Sequence, residues 1–320
     1  MSLDATSRSG PATNGAVHAD GAGTLGDPRA RTVPSWRSID WREHQHWLVV
    51  DGRPVNTIAL GDGPPILFVH GLSGRWGNWL EQMPVFAQRH RVVAVDLPGF
   101  GHSPGGAGEL SMEGYAALLD KLLGELGLAR AVVVGNSMGG LIAAELAAAF
   151  PQRVERLALI SPAGISTFED RFTQRTMPLV RRFEQKLALA AQWAASNSDM
   201  VTSRPRLREL ALKGVVRHPS RLPAALAAEQ VRGAGTDGFL RALEAIFEYD
   251  LTPRLAEIGC PTLVVWGDHD LLINVRDAAR FHELIAGSKL VVYEDTGHMA
   301  MLERPGEFNE LLARFLGSSD

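Results

Sequence analysis

The sequence predicts an α/β protein built on a mostly parallel sheet, and three observations predict it. Short β-rich runs recur along the chain, and helical stripes separate most of them. From Ile66 onward the runs are apolar without alternation, as strands buried on both faces of a parallel sheet should be. In order, "HWLVVDG" (46–52) and "VNTIALG" (55–61), separated by Arg53-Pro54, read as an opening hairpin. "PILFVHG", "RVVAVDL", "AVVVGN", "RLALISP", "TLVVWGD" and "KLVVYED" follow, so eight strands are expected. Between them, "MEGYAALLDKLLGELG" sets Tyr115, Leu118, Leu119, Leu122 and Leu123 on one helical stripe, and "GLIAAELAAAF" and "PGEFNELLARFLG" are similar. Such an alternation places helices on both faces of the sheet.

One stretch breaks the alternation. From residue 163 to 251 no run reads as a strand, while "PLVRRFEQKLALAAQWAA", "RLRELALKGVV", "RLPAALAAEQVRG" and "GFLRALEAIFEYDL" all read as helices. This predicts a helical cap, 163–251, inserted between two parts of one core, 39–162 and 252–320.

Composition narrows the function. The 320 residues, 45% hydrophobic, can bury a large core. A net charge of −4 points to no nucleic acid and no anionic membrane surface. One cysteine, Cys260, rules out an internal disulfide and a cysteine-based metal cluster, and reads as a buried small hydrophobe. No apolar run approaches the length of a membrane span, so stable membrane insertion is not expected. Residues 1–38 are rich in Gly, Ala, Ser and Thr and have no apolar core of a signal peptide. They are expected to be a disordered tail, and the chain to be cytoplasmic. Gly21, Gly23 and Gly26 match G-x-G-x-x-G, but without the strand and helix a nucleotide site needs.

"VVVGNSMGG" (132–140) does have its context. A strand precedes Gly135-Asn136-Ser137-Met138-Gly139 and a helix follows, the setting in which G-x-S-x-G exposes a serine hydroxyl on a sharp turn. A hydroxyl is a weak nucleophile without a base. Of ten histidines, His298 in "YEDTGHMAMLERP" lies just past the last strand, at the same sheet edge as Ser137. The imidazole in turn needs a carboxylate to fix its tautomer. "TLVVWGDHDLLINV" offers Asp268, which follows its strand directly, and Asp270, further out in the loop and favoured. "FVHGLSGRWGNW" follows the third strand, and the N–H groups of Leu72 and Met138 are the candidate donors to an oxyanion. His70 reads as a pin for this loop, and Trp76 and Trp79 as lining for a pocket or packing beneath the cap. "DLPGFGHSP" (96–104), with Asp96 and His102, reads as a rigid structural turn.

"HGLSG", "DLPGFGHS", "GNSMGG", "WGDHD" and "TGHMAMLERP", in this order and spacing, resemble the α/β-hydrolase superfamily over about residues 40 to 317. The chain is similar to capped bacterial esterases, lipases and C–C bond hydrolases. The resemblance implies an α/β-hydrolase fold with Ser137 as nucleophile, His298 as base, Asp270 as acid, and Leu72 and Met138 as oxyanion donors. Asn136 departs from the histidine common before the nucleophile in relatives. A serine rather than an aspartate at 137 argues against haloalkane dehalogenases and epoxide hydrolases.

The activity expected is hydrolysis of a small to medium apolar or aromatic carboxylic ester, without metal or cofactor, with Phe168 and Trp193 of the cap joining Trp76 and Trp79 against the substrate. The alternatives are cleavage of a C–C bond in a vinylogous diketone, with Arg181, Arg182 or Arg217 binding its carboxylate, and ligand binding without turnover. A homodimer is compatible with the sequence.

Overall fold

The computed structural model describes residues 35–105, 111–169, 186, 189–236 and 238–317, with the backbone alone at 168 and 169. Among these, eight strands form one sheet: β1 (Gln45–Val50), β2 (Arg53–Leu60), β3 (Pro65–Val69), β4 (Arg91–Val95), β5 (Ala131–Asn136), β6 (Val154–Ile160), β7 (Thr262–Gly267) and β8 (Lys289–Tyr293). Their order across the sheet is β1-β2-β4-β3-β5-β6-β7-β8. The β1–β2 and β2–β4 pairs are antiparallel and every other pair is parallel.

The apolar runs are continuous because both faces of the sheet are covered. Successive residues of a strand point to opposite faces. Leu67, Val69, Val93, Val95, Val133, Leu157, Leu159, Val264 and Trp266 enter one core with the helices Met112–Glu125, Met138–Ala149 and Arg276–Leu284. Ile66, Phe68, Val92, Ala94, Val132, Val134, Ala158, Ile160, Leu263 and Val265 enter the other, with Met83, Phe86, Phe308, Leu312 and Phe315.

The opening hairpin forms as expected, but its turn is not at Arg53-Pro54. It is Asp51-Gly52, both at positive φ (53° and 74°), the geometry whose twist suits a two-residue hairpin. Pro54 lies within β2, opposite Val49 of the edge strand. The expected tail boundary also shifts. Residues Trp36–Ser38 form a 3-10 turn, and Trp36 Nε1 donates to Glu81 Oε1 at 2.9 Å. Residues 1–34 lie outside the described residues. Cys260 is half-buried, and burial pushes its thiol pKa up.

Between β6 and β7 no described residue is in a strand. The helices are Ser166–Glu169, 189–196, Ser198–Ser203, Pro205–Leu212, Ala224–Arg232 and Phe239–Glu248. This insert leaves and rejoins the core at one place, where Leu251 N–H donates to Gly164 O at 3.1 Å. Its exit is fastened by the buried Glu145 of the helix Met138–Ala149, which accepts from Tyr249 Oη and from Arg254 Nε (3.1 Å). Among the described residues no helix is long and apolar enough to cross a membrane.

Candidate active site

Strands β3 to β8 run parallel, so their carboxyl ends share one edge, and the chain leaves each of them into a loop at that edge. Every candidate catalytic side chain sits in one of those loops.

Ser137 stands between β5 and the helix Met138–Ala149 at φ 58°, ψ −122°, a backbone conformation rare for a residue with a Cβ. Such strain costs about 1–3 kcal/mol and persists only where the surroundings enforce it. Here Ser137 N–H donates to Ile160 O at 2.9 Å, and Ser137 O accepts from Gly140, Leu141 and Ala163. The glycines of the motif are steric necessities. A Cβ on Gly135 would lie 2.3 Å from Gly139 O, and one on Gly139 2.3 Å from Val69 O and 2.4 Å from His70 O. Gly139→Ala is therefore expected to destabilise the fold by about 3 kcal/mol or more. A urea midpoint unchanged from wild type would contradict that packing.

The loop after β3 lies against this turn, since a Cβ on Gly71 would meet Ser137 Cβ at 2.9 Å. Leu72 follows Gly71 there, and Ser73 holds φ 58°. The N–H of Met138, first residue of its helix, has no acceptor within that helix. His70 pins the loop. Its Nε2 accepts from Leu97 N–H at 3.0 Å, so Nδ1 carries the proton and donates to Gly71 O at 2.7 Å. Burial pushes its pKa down, which keeps the ring neutral.

Asp96 holds the same loops from beneath. It is fully buried and accepts from Trp76 N–H (2.7 Å), Asn56 Nδ2 (2.8 Å) and His102 N–H (2.9 Å). Burial alone would raise its pKa. The hydrogen bonds from His102 and Trp76 work against it, and the net shift is downward. Asp96 and His102 are thus a structural joint. Asp96→Asn keeps one acceptor oxygen and is expected to cost roughly 2–3 kcal/mol in urea unfolding at neutral pH. A depressed carboxylate adds stability that is present above its unfolded pKa and lost as pH falls through the folded value. The gap between wild type and variant should therefore narrow below about pH 4; a pH-independent gap would rule out the ionised carboxylate as its source.

His298 and Asp270 meet across two loops. His298 Nδ1 lies 2.7 Å from Asp270 Oδ2, with both side chains buried. Asp270 Oδ1 accepts from Leu272 N–H (2.8 Å) and Ile273 N–H (3.0 Å), which fixes the carboxylate. The other ring nitrogen of His298, Nε2, is buried and has no hydrogen-bond partner among the described residues. Asn136, next to Ser137, joins the His298 loop to the Ser137 turn: its Nδ2 donates to His298 O at 3.3 Å and to Ile160 O at 3.0 Å. Asp268 has other partners, the half-exposed His269 (2.6 Å) and Thr296 N–H (3.3 Å).

The residues expected against the substrate separate. Trp79 is fully buried, its ring 4.9 Å from that of Phe68, so it packs the sheet face as a core side chain. Trp76 is buried between Trp41 (5.2 Å between rings) and the Arg75 guanidinium. Trp193 is 55% exposed on the insert. The side chain of Phe168 and residues Arg181 and Arg182 lie outside the described residues. Arg217 has its guanidinium on Asp295 at 3.2 Å. Asn136 stands out in the sequence only as a departure from relatives, and Glu303, which lies in "TGHMAMLERP", has no spacing rule to single it out.

Residues 64–305 match the family model described as alpha/beta hydrolase fold, so the chain belongs to the α/β-hydrolase family and is a hydrolase of that class. Among curated relatives, the dihydrolipoyllysine-residue acetyltransferase component of the acetoin cleaving system of Cupriavidus necator is 34% identical, over 84% of this chain and 68% of that protein. The 2-hydroxy-6-oxo-2,4-heptadienoate hydrolase of Pseudomonas putida is 28% identical, over 85% of this chain and 96% of that protein. Among solved structures, Est816, described as an N-acyl homoserine lactone degrading enzyme, superposes with a TM-score of 0.68 at 30% identity, covering 84% of this chain and all of that one.

Proposed function

We propose that the protein hydrolyses carboxylic esters through an acyl-enzyme on Ser137. His298 Nε2 removes the proton of Ser137 Oγ as the oxygen attacks the ester carbonyl, and the oxyanion is held by the N–H groups of Leu72 and Met138. Collapse breaks the C–O bond to the leaving alcohol, which takes the proton from His298. Water, deprotonated by the same nitrogen, then attacks the acyl-enzyme and releases the acid, restoring the serine. The observation carrying this reading is the His298–Asp270 bond at 2.7 Å, with the opposite ring nitrogen buried and without a partner among the described residues, and the backbone carbonyl of His298 tied to Asn136 beside the serine. Asp270 stabilises the imidazolium formed in each step.

The insert acts as a cap whose underside favours an apolar or aromatic acyl group of small to medium size. Support comes from one apolar cluster that runs from the sheet face through Trp76 and Met299 into Leu212, Val216, Leu222, Leu226 and Val231 of the insert. The neighbour Est816 is described as degrading an N-acyl homoserine lactone, a molecule that contains a cyclic ester, in agreement with this class. Cleavage of a C–C bond is the second reading, favoured by the heptadienoate hydrolase relative. It is weakened by Arg217, whose charge is already paired with Asp295.

A fluorophosphonate tests the mechanism directly. Intact mass should rise by one adduct, and peptide mapping should place it on Ser137. An unmodified protein, or an adduct elsewhere, overturns the reading. Comparing turnover of a p-nitrophenyl ester with that of a vinylogous diketone then separates ester from C–C cleavage.

A further inference from the structure

Both flanks of His298 are fastened to one short piece of the insert. Five residues after the histidine, Glu303 Oε1 accepts from Gly297 N–H at 2.8 Å, and Oε2 accepts from Arg217 N–H at 2.9 Å. Three residues before it, Asp295 sits at φ 48°. It accepts from Arg217 Nε (3.2 Å), pairs with His218 Nε2 (2.7 Å) and lies 3.6 Å from Arg221 Nη1. The two backbones touch, since a Cβ on Gly297 would lie 2.8 Å from Arg217 N and 3.2 Å from Val216 C. From the core side, Arg304 donates from Nε to Thr296 Oγ1 (2.8 Å) and from Nη2 to Glu294 O (2.7 Å).

We propose that the insert segment 216–221 is a positioning element for His298, holding the base loop through Glu303 and Asp295 so that the seating of the insert sets where the imidazole stands. The inference rests on His298 being the general base. The chemistry at Glu303 explains why a carboxylate is needed there. Each of its oxygens faces a backbone N–H, and a carboxylate can accept at both. A glutamine keeps the volume but offers one acceptor, and its NH2 would confront the second N–H. Asp295 supplies the complementary tie: one carboxylate gathers Arg217, His218 and Arg221 of the insert against the loop. Insert and base loop therefore move together or separate together.

The test uses the full chain and three variants: Glu303→Gln, Glu303→Asp and Asp295→Asn. Active sites are counted by fluorophosphonate labelling, and kcat is expressed per labelled site, so a loss of folded protein alone leaves it unmoved. Glu303→Gln is expected to lower kcat per site and the labelling rate together by about 10- to 10²-fold, the size of effect a displacement near 1 Å produces. KM should stay within about twofold. Glu303→Asp, which keeps both acceptors on a shorter stem, should recover part of the loss. Asp295→Asn, at the surface, should lower kcat per site by a few-fold and serves if the Glu303 variants do not fold. An unchanged kcat per site in Glu303→Gln, or in Asp295→Asn where it stands alone, overturns the positioning role and leaves the hydrolase reading intact. Absence of labelling at Ser137 in the wild type overturns both.

Discussion

Replacing Ser137 by alanine should lower ester turnover by at least about 10³-fold, close to 4 kcal/mol of transition-state stabilisation, with the fold unchanged. The size follows from the mechanism. Without the hydroxyl no acyl-enzyme forms, and only the oxyanion donors and substrate binding remain to assist attack by water. The stability expectation follows from the backbone. Serine and alanine both carry a Cβ, so both bear the same strain at φ 58°. The hydroxyl has no hydrogen bond across the helix N-terminus to lose, since Ser137 makes no side-chain cap there. Initial rates on a p-nitrophenyl ester, together with thermal midpoints, measure both. Turnover within tenfold of wild type would take Ser137 out of the chemistry.

The second large effect is expected at Asp270, where the structure dictates what an amide would do. Leu272 and Ile273 direct their N–H groups at Oδ1. In Asp270→Asn the carbonyl oxygen of the amide must stay with those two donors, so its NH2 turns toward His298 Nδ1. That nitrogen can then only accept, the ring proton moves to Nε2, and the lone pair needed to deprotonate Ser137 is gone. A fall in kcat/KM of about 10²- to 10⁴-fold is expected. Asp268→Asn, whose carboxylate sits with an exposed histidine, should change kcat/KM by less than about threefold. The reverse ranking would exchange the two aspartates.

Much of this site was legible from residue order alone. The G-x-S-x-G turn is readable because its chemistry and its sterics depend on neighbours in sequence: a strand before, a helix after, and glycines where a Cβ would strike Val69 O or Gly139 O. His298 was readable from its place just past the last apolar strand. Between Asp268 and Asp270 residue order favoured Asp270, further out in the loop, but could not give its distance from His298. They are two residues apart in one loop, and the path of that loop is set by its bonds to Tyr293, Thr296 and Ile273. The misplaced hairpin turn has a local cause. Arg53-Pro54 looks like a breaker, but Pro54 is the second residue of β2, outside the stretch Thr57–Leu60 that pairs with β4, and Asp51-Gly52 supplies the positive φ the turn requires. Trp79 fits pocket and core equally well by composition, and its contact with Phe68 decided for the core.

By itself the sequence determined the alternating elements, the apolar faces that bury a parallel sheet, and the sharp G-x-S-x-G turn, because each of these is enforced by residues close together in the chain. Only the tertiary structure decided which carboxylate faces His298, that Asn136 ties the His298 loop to the Ser137 turn, and that the insert contacts the histidine loop through Glu303 and Asp295. Those are contacts between loops brought to one edge by parallel strands, and no spacing rule along the chain encodes a distance between them.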